Sequence, residues 1–116
     1  MTKAFNAYQT TDADALTKCV LDEDEVVRYA AARAKALTSS HLEILARDER
    51  PMIRLDLVEN PRTPVTVLRL LAADKNSIVR RWISKNPNVD DTILEKLERD
   101  PVPKVREFAQ KSRQDT

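Results

Sequence analysis

Glycine is missing from this chain of 116 residues. Glycine supplies the positive backbone angles of phosphate-cradling loops, so a glycine-rich nucleotide cradle is excluded. Helix ends are expected to rest on Asn and Pro instead. A single cysteine, Cys19, has no partner for an internal disulfide, and no cluster of ligands exists for a structural metal. Neither a metal nor a cofactor is expected. No apolar run nears membrane-spanning length and no secretory signal is visible, so the expectation is a cytoplasmic chain without a membrane partner. Net charge is only +1, too small for a general nucleic-acid footprint. The charge is spread unevenly, from −2 over residues 1–48 through 0 over 49–74 to +3 over 75–116. Offsets this small carry little weight in choosing a partner.

What is present is a period. Arginine stands at Arg28, Arg54, Arg80 and Arg106, and aspartate at Asp22, Asp48, Asp74 and Asp100, each series stepping by 26 residues. Leucine keeps the beat at Leu16, Leu42, Leu68 and Leu94, and nearly keeps it at Cys19, Leu45, Leu71 and Leu97. Repeats of about 20–50 residues belong to units that cannot bury an apolar face alone and must stack. The expected fold is therefore an all-α solenoid of stacked two-helix repeats, one domain over 1–116. Residues 1–22 form an N-terminal partial repeat, 23–48, 49–74 and 75–100 are full repeats, and 101–116 are a C-terminal half repeat.

Within the third repeat, Ile78, Val79, Trp82 and Ile83 recur at helical spacing, predicting a helix from Ser77 to about Lys85. Asn86-Pro87 is the expected stop, because proline disfavours helix in the residue before it. A second helix is predicted from Asp90 or Asp91, with Ile93, Leu94 and Leu97 on one face. The second repeat uses Asn60-Pro61 as its stop, then Thr63 as cap and Pro64 as first helical residue. The first repeat offers Thr38, Ser39 or Ser40 as cap and has Ala34-Lys35 where the others have Asn-Pro. Its first helix is expected to run longer. At the N-terminal end Phe5 falls in the slot of Ala31, Leu57 and Ile83, which predicts a core position.

Asn60-Pro-Arg-Thr-Pro64, Val67 to Asp74, Ile78-Val-Arg80 and Ile78 to Pro87 together resemble the leucine-rich-repeat variant motif. The Asp-then-Arg spacing also resembles HEAT repeats. The resemblance covers nearly the whole chain and is strongest over 49–100. It implies a right-handed α-solenoid in which a short helix, partly of the tight three-residue kind, alternates with a longer α-helix. A founding member of the variant family carries an iron–sulfur cluster on an added cysteine-rich segment. With Cys19 alone, that association does not transfer.

Three sets of residues are candidate sites. Asp22, Arg28, Asp48, Arg54, Asp74, Arg80, Asp100 and Arg106 are expected to form a structural charge ladder, each arginine bridging carboxylates of adjacent repeats. Trp82, flanked by Arg80, Arg81 and Lys85, has the aromatic-plus-cation make-up of a protein anchor or a base-stacking platform. The bland alternative packs Trp82 over Phe108 to shield the C-terminal end. Arg80, Arg81, Lys85, Lys104, Lys111 and Arg113 make a basic set that would suit a phosphate backbone, diluted by Asp90, Glu95 and Glu107. His41 and Cys19 are lone and read as helix positions turned toward the core. No catalytic residue is picked out. The expected function is a non-enzymatic adaptor for a protein partner. The alternative is nucleic-acid binding through the C-terminal basic face around Trp82. An enzyme of the HEAT-like DNA-glycosylase kind lacks the acid in an aromatic-lined pocket, and self-association through the last helix stays open.

Overall fold

A computed structural model describes residues 2–115, and every regular element among them is an α-helix. They are α1 (Lys3–Gln9), α2 (Ala13–Val20), α3 (Glu25–Ala31), α4 (Ser39–Leu45), α5 (Pro51–Glu59), α6 (Val65–Leu71), α7 (Ser77–Ile83), α8 (Asp91–Leu97) and α9 (Pro103–Gln114). The helices α3, α5, α7 and α9 begin at Glu25, Pro51, Ser77 and Pro103, and α2, α4, α6 and α8 at Ala13, Ser39, Val65 and Asp91. Both sets of starts step as the Asp and Arg series do. No helix among the described residues is long and apolar enough to cross a membrane.

The starts have local causes. Asp12, Asp24, Asn76 and Asp90 each turn a side-chain oxygen onto free amides of the first helical turn, satisfying donors that have no partner inside the helix. In α4 the cap is Thr38, and His41 completes a capping box by accepting from the Thr38 amide at 3.0 Å. Thr38→Ala is expected to cost about 1 kcal/mol in a urea melt, the ordinary loss of an N-cap. A loss under a few tenths would mean the cap is idle. At α6 the structure differs from the sequence expectation. Pro64 is the N-cap, with extended ψ of 159°, and the helix starts at Val65 without a side-chain cap bond. Proline has no amide to satisfy, so it fits either position, and only the backbone ψ separates them.

Helix ends depart further from expectation. None rests on a positive backbone angle among the described residues. Instead α3, α4, α6, α7 and α8 each pass through one right-handed residue: Ala32, Ala46, Ala72, Ser84 and Glu98. A tight i→i−3 bond follows, from Ala34 to Ala31, Asp48 to Leu45, Asp74 to Leu71, Asn86 to Ile83 and Asp100 to Leu97. Such bonds absorb terminal carbonyls without glycine, and without Asn-Pro in four of the five cases. The same device stops α3 at Ala31, so the first repeat's helix does not run longer. It also ends α7 at Ile83, two residues short of Lys85. Bonds of the three-residue pitch occur at helix starts and ends, and no helix of that kind forms among the described residues. Nor do short helices alternate with longer ones, since α3, α4, α6, α7 and α8 all have 7 residues.

The chain divides into two units, Met1–Leu57 and Val58–Thr116. In the first, α1 and α2 pack on α3, and α2 on α4. Its core holds Ala7, Leu16, Val20, Val27, Ala31, Leu42, Leu45, Ile53 and Leu57. Phe5 is not among them. It is exposed, because α1 turns Ala7 inward and two residues along a helix, about 200°, face the other way. In the second unit α7 and α8 pack on α9, and α6 on α7. Val67, Leu68, Leu71, Val79, Ile83, Ile93, Leu97, Val105 and Ala109 form its core.

Candidate functional site

The Asp/Arg series forms one recurring joint. In the first unit Arg28 Nε donates to Asp48 Oδ2 at 2.8 Å, while its Nη1 donates to the Asp22 carbonyl at 2.8 Å. In the second, Arg80 Nε and Nη2 donate to the two oxygens of Asp100 at 2.7 and 3.1 Å, and Nη1 to the Asp74 carbonyl at 2.7 Å. Arg54 and Arg106 make the same main-chain contact, to the carbonyls of Asp48 and Asp100. Arg28 and Arg80 thus each hold the carboxylate that follows and the backbone that precedes, while Arg54 and Arg106 share the backbone contact. The preceding carboxylate is occupied elsewhere: Asp22, Asp48, Asp74 and Asp100 each accept the amide two residues on. The Arg80 and Asp100 side chains are 13% and 7% exposed, so this joint lies in the protein rather than on it.

Charge and burial oppose each other at Asp100. Burial pushes its pKa up, but the hydrogen bond from Arg80, the Val102 amide and the charges of Arg80 and Arg106 outweigh burial and hold it below the usual carboxylate range. Arg28 and Arg80 are raised above the ordinary guanidinium value, chiefly by the bonds to Asp48 and Asp100.

Around Trp82 the second unit gathers aromatic and cationic groups. The Trp82 and Phe108 rings meet edge to face, 5.3 Å between centroids and 87° between planes. Arg81 and Lys85 both lie 5.6 Å from the centre of the Phe108 ring. Arg81 Nε is buried without a hydrogen-bond partner. Trp82 packs on Phe108 and still leaves 36% of itself exposed. Beside it a cavity of about 380 Å³ is lined by Val58, Glu59, Trp82, Lys85 and Asn86.

The members of the basic set have different partners. Arg80 is committed to Asp100, Lys104 pairs with Glu107 at 3.2 Å, and Arg113 holds Asp91 and Glu98. Lys111 is exposed on α9. Arg81, Trp82 and Lys85 meet at Phe108.

Sequence reasoning missed the role of Asn86, read as a helix stop. Its buried amide donates to the carbonyls of Val58 and Asn60 at 2.7 and 3.0 Å, and Asn88 donates to those of Pro61 and Thr63. His41 is likewise occupied. Its Nδ1 accepts from the Thr38 amide, so Nε2 carries the proton, 3.1 Å from the Ala13 carbonyl and 2.9 Å from Thr17 Oγ1. Cys19 is half-buried, and burial, then Asp22, push its thiol pKa up while Lys3 pulls it down. That leaves less thiolate for nucleophilic chemistry. No group of three metal-ligating side chains occurs among the described residues.

Comparison with models of protein families finds no match, and neither do comparisons with curated proteins and with solved structures.

Proposed function

We propose that this chain is a non-enzymatic helical-repeat adaptor, a right-handed α-solenoid resembling leucine-rich-repeat variant and HEAT proteins, which binds a protein partner in the cytoplasm. The observation that carries the reading is Trp82. A large aromatic ring held in place by Phe108, flanked by Arg81 and Lys85 and left 36% exposed, has the composition of an interface anchor. The evenly stepped helix starts and the repeated Arg–Asp joints support a scaffold of equivalent units. Nucleic-acid binding is supported less well, because Arg80, Lys104 and Arg113 already have carboxylate partners and Arg81 and Lys85 face a ring.

Affinity capture with the folded protein should recover one dominant protein, and Trp82→Ala should weaken that complex by about tenfold or more. The circular-dichroism melt should move little, since Trp82 lies at the edge of the core. Recovery of nothing specific, or of a complex indifferent to Trp82→Ala, would overturn the reading. Retardation of DNA or RNA at low salt that disappears in Lys85→Glu would replace it with the nucleic-acid alternative.

A further inference from the structure

We propose that a groove in the first unit is a second docking site, which takes one large apolar side chain from a partner segment that also carries Lys or Arg. It rests on the reading of the protein as a binding module and concerns a surface separate from Trp82. The groove runs between α3 and the start of α5, with Val26, Tyr29, Pro51 and Met52 as walls and Glu25 and Arg50 at its edge. Its volume is about 330 Å³, room for a side chain and too small for a folded element.

Two observations mark it as more than stray exposed carbon. First, α5 carries more apolar surface than the core uses: Ile53 and Leu57 are buried, while Met52 is 59% exposed. Second, the exposure repeats in register. Val26, Met52 and Ile78 are each the second residue of their helix and are 58%, 59% and 47% exposed. Core packing gives no reason for an apolar residue to recur at an exposed slot, whereas a contact surface does. Methionine also adapts its shape to what it meets.

Charge selects the occupant. The chain enters α3 through Asp22-Glu-Asp-Glu25 and α5 through Asp48-Glu49. Of these, Asp22 pairs with Lys3, Asp48 with Arg28 and Glu25 with Arg50. Glu49 reaches only the already committed Arg28, at 3.7 Å and with its side chain 80% exposed. Glu23 and Asp24 have no cation within ion-pair reach among the described residues. The end of the groove where the chain enters α3 and α5 is therefore acidic, while Arg33, over the Tyr29 wall, is held by Asp56. An incoming apolar residue is favoured when a basic neighbour accompanies it. An acidic segment would be repelled.

Selection of a random twelve-residue peptide library against the folded chain tests this. Enriched peptides should pair an aliphatic or aromatic residue with a nearby Lys or Arg. Their affinity should fall about tenfold or more in Met52→Arg and Val26→Arg, the loss expected for an anchor residue. It should fall again in Glu23→Lys and with added salt. Trp82→Ala should leave peptide binding unchanged, which separates this site from the adaptor surface. Unaltered thermal melts will show that the exposed substitutions leave the fold intact. No enrichment, enrichment of acidic peptides, or binding indifferent to Met52→Arg would each overturn the proposal. Concentration-dependent dimerisation abolished by Met52→Arg would also overturn it, by making a second copy the occupant.

Discussion

Asp100→Asn should lower stability by about 3 kcal/mol, read as a shift in urea midpoint at unchanged slope. The substitution keeps size and shape, so the loss isolates charge and hydrogen bonding. An asparagine amide nitrogen in place of Oδ2 would face the Arg80 Nε–H, donor against donor, where a 2.7 Å bond now stands. The Arg80 guanidinium would remain buried with its main-chain contact to Asp74 and without the carboxylate it grips, leaving Asp74 as the more weakly placed counter-charge. Removing both members should be far milder. Arg80→Met with Asp100→Leu should recover most of the loss, because desolvating the pair already offsets much of its attraction. A loss below about 1 kcal/mol for Asp100→Asn would mean the joint behaves as an exposed ion pair.

The same residue sets a pH dependence whose sign follows from the lowered carboxyl. In the unfolded chain Asp100 takes its ordinary value, about 3.9, and in the folded chain a lower one. Between the two the unfolded state binds more protons, so stability rises with pH there. The contribution is complete above the unfolded value and lost as pH falls through the folded one. Asp100→Asn should remove that part of the acid slope and leave the neutral-pH plateau lower.

Asn86→Asp should cost about 3 kcal/mol at neutral pH and behave oppositely in acid. The buried Asn86 amide nitrogen donates to the Val58 and Asn60 carbonyls. An aspartate there sets a carboxylate against two carbonyl oxygens, with desolvation added. The folded state then favours the protonated acid, which can donate one of the two bonds, so the variant carboxyl is raised relative to the unfolded chain. Its folded state binds more protons between the two values, and the variant should regain stability as pH falls through that window. Asn86→Ala removes both bonds without adding a charge, and the Asn60 carbonyl still accepts the Thr63 amide. It should lose about 2 kcal/mol with no added pH dependence. Matching acid slopes for Asn86→Asp and the parent would show that the amide does not hold these carbonyls.

Asn86 marks where sequence reading ran out. Next to Pro87 an asparagine reads as a local stop, and that is how it was expected to act. Its partners lie 26 and 28 residues upstream, and they are main-chain atoms, which leave no mark on residue choice. His41 was more legible. Thr38 and His41 have the three-residue spacing of a capping box, though histidine is not the residue usually sought there. Phe5 failed for a geometric reason, since placing it by the repeat period assumed that α1 shares the register of α3, and the inward residue is Ala7.

The basic face shows the same division. Arg80 and Arg81 are neighbours in sequence and equal in charge. In the folded chain Arg80 grips Asp100 and Arg81 lies over Phe108, because adjacent residues on a helix point about 100° apart. No count of lysines and arginines distinguishes them.

Periodicity, caps and composition sufficed to establish an all-helical chain, the stepping of its helix starts and the absence of glycine-built sites. These depend on neighbours a few residues away, and the energies involved are written in residue type. Which arginines are occupied, how far Trp82 stays open, what Asn86 holds and which apolar residues line the groove beside Met52 depended on folding. Each of those draws on atoms from different helices, many of them twenty or more residues apart, brought together only when the helices pack.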